Sequence, residues 1–101
     1  MKPYIDYERW LVKSLKDPKE AALYLNAAIE EDNVEVFLLA LWHVARAHGM
    51  SALARKIHLH RVSLHKMLSK KGNPEFRSVL KIVNASGLKL QFQPKVLRRA
   101  A

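Results

Sequence analysis

The chain has 101 residues, half of them hydrophobic and 27% charged, with a formal net charge of +9 and no cysteine. That length suits one domain with a modest core, and the missing thiols exclude a disulfide framework, a thiolate metal site and a cysteine nucleophile. No apolar run approaches a membrane span, and the opening M-K-P-Y-I-D-Y-E lacks a signal-peptide core, so the expected location is the cytoplasm.

Residues 4–15 carry Tyr7, Trp10, Leu11 and Leu15 at the spacing of an amphipathic helix. Asp17-Pro18 reads as a helix start, with Asp17 as N-cap, Pro18 in the first helical position and Glu20 in the first turn. That helix runs through A-A-L-Y-L-N-A-A-I-E, with Ala21, Ala22, Leu25, Ala28 and Ile29 expected inward. Asn33 is the expected N-cap of a third helix over residues 34–48, the most hydrophobic segment. Phe37, Leu38, Leu41, Val44 and Ala45 share one face, widened by Leu39, Ala40 and Trp42, and Gly49 closes the helix as a left-handed cap.

Residues 50–69, M-S-A-L-A-R-K-I-H-L-H-R-V-S-L-H-K-M-L-S, read as two short helices around a tight turn. Leu53, Ala54 and Ile57 make the inner face of the first, and Leu64, Met67 and Leu68 that of the second. Ala54 is small where the helices approach most closely, and Leu59 is the apolar residue of the turn. This is the pattern of a helix-turn-helix. The outer face of the second helix carries Arg61, Val62, His65 and Lys66 and no acid, which suits base edges and phosphates in a major groove.

Asn73-Pro74 is expected to open a further helix to Ser86, with Phe76, Val79, Leu80 and Val83 inward, and Gly87 to stop it. Residues 88–93 alternate, with Leu88, Leu90 and Phe92 against Lys89, Gln91 and Gln93, which predicts a short β-strand. A lone strand needs a partner. The simplest partner is the same strand of a second copy, making Leu88, Leu90 and Phe92 a homodimer seam; the alternatives are another protein or the stretch around residues 4–6. Residues 94–101 read as a mobile tail.

Charge is unevenly divided. Residues 1–48 hold six Lys or Arg against eight Asp or Glu, whereas residues 49–101 hold twelve against Glu75 alone. The second half therefore has the field of a polyanion-binding surface. Arg61, near the start of its helix, is the expected base reader, with His60, His65 and Val62 in or beside the groove. Lys56, Lys70 and Arg77 are expected on phosphates, and Ser51 and Ser69 belong to the same surface. A basic membrane-surface helix fits less well, because the cations are spread over several elements without an exposed Trp or Phe stripe.

The five histidines do not form a metal site by spacing. His43/His48 and His60/His65 lie five residues apart, not the four that puts two ligands on one helix face. No acid lies near His58, His60 or His65. The basic half has a single carboxylate, and no Ser, His and acid combination suggests a catalytic constellation. The expectation is a binding protein, not an enzyme, without metal or cofactor.

Three stretches carry a resemblance: Y-L-N-A-A at 24–28, H-G-M-S-A-L-A-R at 48–55 and K-G-N-P-E-F-R-S-V-L-K-I-V at 71–83. Over residues 17–93 the chain resembles the addiction-module antidote (HigA-like) antitoxins, which have a lambda-repressor-like helix-turn-helix of the XRE/Cro-C1 type. The resemblance implies a mainly α fold of five to six helices with a short C-terminal β-strand. It also implies a repressor that binds the operator of its own type II toxin–antitoxin module and neutralises a RelE/HigB-like mRNA-cleaving toxin. Two positions depart from the pattern: His58 stands where such turns usually carry Gly, and His60 where the cap is usually Ser or Thr. A stand-alone phage-type repressor without a toxin and a non-specific nucleic-acid-binding structural protein are the other readings.

Residues 1–101 are then one domain, with helices over 1–33, a DNA-binding core and strand over 34–93, and the tail. The acidic first half is the expected toxin-binding part, through Tyr4, Tyr7, Glu8, Trp10 and Glu20, because a basic toxin would complement its charge and aromatics dominate interface hot spots. Trp10 and Leu11 could instead pack on the third helix and complete the core.

Overall fold

The computed structural model describes residues 3–69 and 73–96, with side-chain surroundings from residue 6 onward. Among these residues there are six helices: α1 (Pro3–Ser14), α2 (Pro18–Glu30), α3 (Val34–His48), α4 (Met50–Lys56), α5 (Arg61–Met67) and α6 (Phe76–Ala85). The mainly helical expectation is met. Lys70 and residues 97–101 lie outside the described residues.

Local chemistry sets the helix ends. Asp17 Oδ1 accepts the Lys19 N–H at 3.0 Å, and Asn33 Oδ1 accepts the N–H groups of Glu35 and Val36 at 2.9 and 3.2 Å. Each satisfies donors that a helix N-terminus leaves without intrahelical partners. Gly49 has φ 106° and ψ 113°, positive in φ but outside the left-handed helical well. It ends α3 and starts α4 at once, and the chain bends by 96° between them. A Cβ there would meet only Ala52 Cβ at 3.8 Å, so conformation rather than space calls for glycine.

α3 is the hub. It packs against α1, α2 and α4, and α4 packs in turn against α5 and α6. Leu41, Leu53, Leu64 and Ile82, one each from α3, α4, α5 and α6, are fully buried and join one cluster with Leu11, Leu15, Ala21, Leu25 and Ala28 of the first two helices and the α1–α2 turn. Burying a side chain of that size contributes about 1.5–3 kcal/mol.

Several expectations are corrected. Ile29 and Leu39 are exposed, because the contacts of α2 and α3 fall on Ala21, Leu25, Ala28 and on Leu38, Ala40, Leu41, Val44, Ala45 instead. α6 starts at Phe76, two residues after Pro74, and its N-cap Glu75 makes no side-chain cap bond. Its buried face is Ile82, Val83 and Ser86, with Val79 half-buried, whereas Phe76 and Leu80 face outward. Five apolar residues among positions 76–83 occupy too much of the helix circumference for spacing to select a face. Trp10 is 61% exposed while Leu11 beside it is buried.

The predicted C-terminal strand is absent among the described residues: residues 88–96 carry no regular secondary structure. The candidate partner at residues 4–6 is part of α1, and there is no strand elsewhere among the described residues. Leu88 and Leu90 nevertheless turn inward and pack half-buried on the core, while Phe92 is 91% exposed. No single described helix is long and apolar enough to cross a membrane.

Candidate nucleic-acid interface

The α4–α5 pair is closed by its turn. The Leu59 N–H donates to Ala54 O at 2.9 Å and the His58 N–H to Arg55 O at 3.4 Å. These are the two bonds of a Schellman motif, which requires a left-handed residue at the position His58 holds. His58 does have φ 59°. It takes the strained conformation expected of it, because Leu59 must reach back to the core beside Ala54, which is buried. Gly87 ends α6 the same way, at φ 81°, with the Leu88 N–H donating to Val83 O at 3.1 Å.

This turn sets the phase of α5. Leu64 and Leu68 point into the core, so Arg61, Val62, His65 and Lys66 are exposed together on the opposite side. His60 holds the N-cap position, also exposed, without a side-chain cap bond. No Asp or Glu occurs from residue 49 to residue 69, so these cations stand without a local counter-charge.

The flanking residues are less uniform. Ser51 is exposed in the first turn of α4, and Arg77 is exposed on α6. Lys56 is exposed but shares a hydrogen bond with His48 Nε2 at 3.1 Å. Burial, and then the Lys56 charge, push the His48 pKa down, which leaves its ring nitrogen free to accept. The Ser69 hydroxyl donates to Lys66 O at 2.8 Å, so its proton is already engaged.

On α1, the Tyr7 and Trp10 rings lie 5.8 Å apart, both largely exposed. Glu8 pairs with Arg46 of α3, and Glu20 is exposed in the first turn of α2. The Tyr4 side chain lies outside the described residues. Tyr24 faces inward: its hydroxyl meets His43 Nδ1 at 2.9 Å. Burial raises the Tyr24 pKa, with Tyr7 adding to it. Burial lowers the His43 pKa, opposed by Glu8 and aided by Arg46. A protonated phenol donating to a neutral imidazole satisfies both shifts.

One residue outside the predicted interface borders α5, and a second lies against it. Trp42 sets its ring edge-on to His65, with centroids 6.1 Å apart at 84°, and Arg46 lies over the Trp42 ring. They lie fifteen or more residues before the start of α5 in the chain, and helical periodicity reports only a residue's own face. Among the described residues no three His, Cys, Asp or Glu side chains come together as a metal site.

A family model described as "Probable addiction module antidote protein" matches residues 8–94. An uncharacterized protein of Haemophilus influenzae is 42% identical over 83 residues, covering 82% of this chain and 86% of that one. No solved structure matches significantly. With the match spanning all six helices in whole or part, the chain belongs to the family of addiction module antidote proteins.

Proposed function

We propose that this protein is the antitoxin of a type II toxin–antitoxin module. In this reading it is a HigA-like, sequence-specific repressor that binds its own operator through a lambda-repressor-like, XRE/Cro-C1 type helix-turn-helix made by α4 and α5. It acts in the cytoplasm as a homodimer and neutralises a RelE/HigB-like mRNA-cleaving toxin. It is a binding protein without cofactor. The observation that carries the reading is the acid-free, exposed side of α5, where Arg61, Val62, His65 and Lys66 stand together on a helix anchored by Leu64. Family membership supports the antitoxin role.

In this reading Arg61 reads a base, most favourably the O6/N7 edge of guanine. Lys56, Lys70 and Arg77 sit on phosphates, and Ser51, His60 and Ser69 border the groove. Two copies meet through residues 88–93, where Phe92 has no cover, so that two α5 helices reach half-sites one DNA turn apart. Tyr7, Glu8, Trp10 and Glu20, with Tyr4, form the surface for a basic toxin, an assignment supported by the exposure of Tyr7 and Trp10.

The test is a binding titration with a duplex taken from immediately upstream of the protein's own gene and a scrambled duplex of equal composition. An affinity ratio of about 10³ or more is expected; a ratio near unity would make this a non-specific nucleic-acid-binding protein. If a small basic reading frame adjacent to its gene arrests growth, co-expression of this protein should relieve that arrest. Operator binding without any rescue would make it a stand-alone repressor.

A further inference from the structure

A continuous line of side-chain contacts runs from α1 to the outer side of α5. Glu8 pairs with Arg46. The Arg46 guanidinium lies 4.7 Å from the centroid of the Trp42 ring; the two are four residues apart on α3 and so share a helix face. Trp42 meets His65 edge-on at 6.1 Å. Trp42 is half-buried against the core, whereas His65 is exposed. α5 packs mainly on α4, so this contact is a second support that reaches α5 from α3.

We propose that Trp42, clamped by the Arg46–Glu8 pair, is the positioning residue for His65 on the DNA-facing side of α5, which rests on the DNA-binding reading of that side. An exposed histidine on a helix has several rotamers open to it. An edge-to-face contact with a large, half-buried ring favours one of them. His65 also lies four residues after Arg61, on the same face, so its rotamer bounds the space left for the Arg61 guanidinium. Arg46 holds the indole from its other neighbour, and Glu8 holds Arg46 in place: a cation over an indole is favourable, and the carboxylate limits the rotamers from which the guanidinium could leave it. The line therefore carries a preference set on α1 to the helix that meets DNA, without any residue of α1 touching DNA.

The test has two readouts. The first uses the protein without DNA: ring-proton resonances of His65 by NMR in wild type, Trp42→Phe and Glu8→Gln. Both variants should move those resonances, Trp42→Phe more, and unmoved resonances overturn the proposal. The second uses a duplex that wild type selects from a randomised pool, with a scrambled duplex as reference. Trp42→Leu and His65→Ala should each lower the selected-over-scrambled affinity ratio about three- to tenfold, and the double variant no further than the larger single effect. Additive losses overturn the proposal. Trp42→Phe, which keeps an aromatic ring in the core, stands in if Trp42→Leu fails to unfold cooperatively. If wild type selects no duplex and Arg61→Ala changes nothing, the DNA-binding reading fails, and the His65 resonances still decide whether Trp42 positions the ring.

Discussion

Residues 1–48 and residues 49–96 carry opposite charge, yet they close over one core. Leu11, Leu15, Ala21 and Leu25 from the acidic half lie in the same cluster as Leu53, Leu64 and Ile82 from the basic half. Among the described residues, the ion pair lies in the first half, Glu8 with Arg46. Arg61, Lys66 and Arg77 in the second half are exposed and make no ion pair there. Charge is therefore apportioned here by surface and not by folding unit. The first half joins one acid to one base, the second leaves Arg61, Lys66 and Arg77 facing outward, and the two halves share one interior.

Separating the halves should have the largest effect. Deleting residues 1–32 removes five buried core residues, Leu11, Leu15, Ala21, Leu25 and Ala28. The fragment should lose its cooperative thermal transition by circular dichroism. A fragment that unfolds cooperatively and binds DNA like the whole chain would show two folding units after all.

Within the basic half, the two sides of α5 should separate stability from binding. Leu64→Ala should cost about 2–5 kcal/mol in urea unfolding, and Val62→Ala on the exposed side should stay within about 0.5 kcal/mol. Arg61→Ala should leave the urea midpoint in place and cost about 1–3 kcal/mol of specific duplex binding in an anisotropy titration. Equal weakening on operator and scrambled DNA would remove its base-reading role.

The turn between the helices gives a smaller effect of opposite sign. His58 sits at φ 59° with its side chain exposed. His58→Gly relieves the left-handed strain, which outweighs the added freedom of the unfolded chain, and should stabilise by about 0.5–1 kcal/mol in the same urea assay. Destabilisation would mean that the imidazole makes a contact worth more than the strain.

The smallest expected effect tests the internal pairing of the acidic half. The folded chain holds the His43 and His48 pKa values below the ordinary 6.5. Below that value the unfolded chain takes up protons that the folded chain resists, so stability falls as pH drops through and below 6.5, and levels off once the folded-state values are passed. The urea midpoint should therefore decline from pH 7.5 to pH 5.5. His43→Gln, which retains an acceptor for Tyr24 but cannot titrate, should decline less.

The helices and most of their ends follow from local residue chemistry. Asp17, Asn33, Gly49, His58 and Gly87 act within one turn of their own position, and such short-range chemistry is readable from a single strand of residues. Spacing likewise exposed the α5 outer side, because a helix with Leu64 and Leu68 inward has its other faces set by the 3.6-residue repeat. Where apolar residues were surplus, as with Phe76, Leu80, Ile29 and Leu39, periodicity had no means of choosing, and only packing between helices decided which were covered. The alternation at residues 88–93 was legible, but a strand is made by a neighbour and not by a pattern, and no such neighbour occurs among the described residues. The contact of Trp42 with His65 belongs to the same class. It joins two helices whose separation along the chain carries no periodic signal, and only the tertiary structure, through the bend at Gly49 that folds α4 and α5 back beside α3, brings the two rings together.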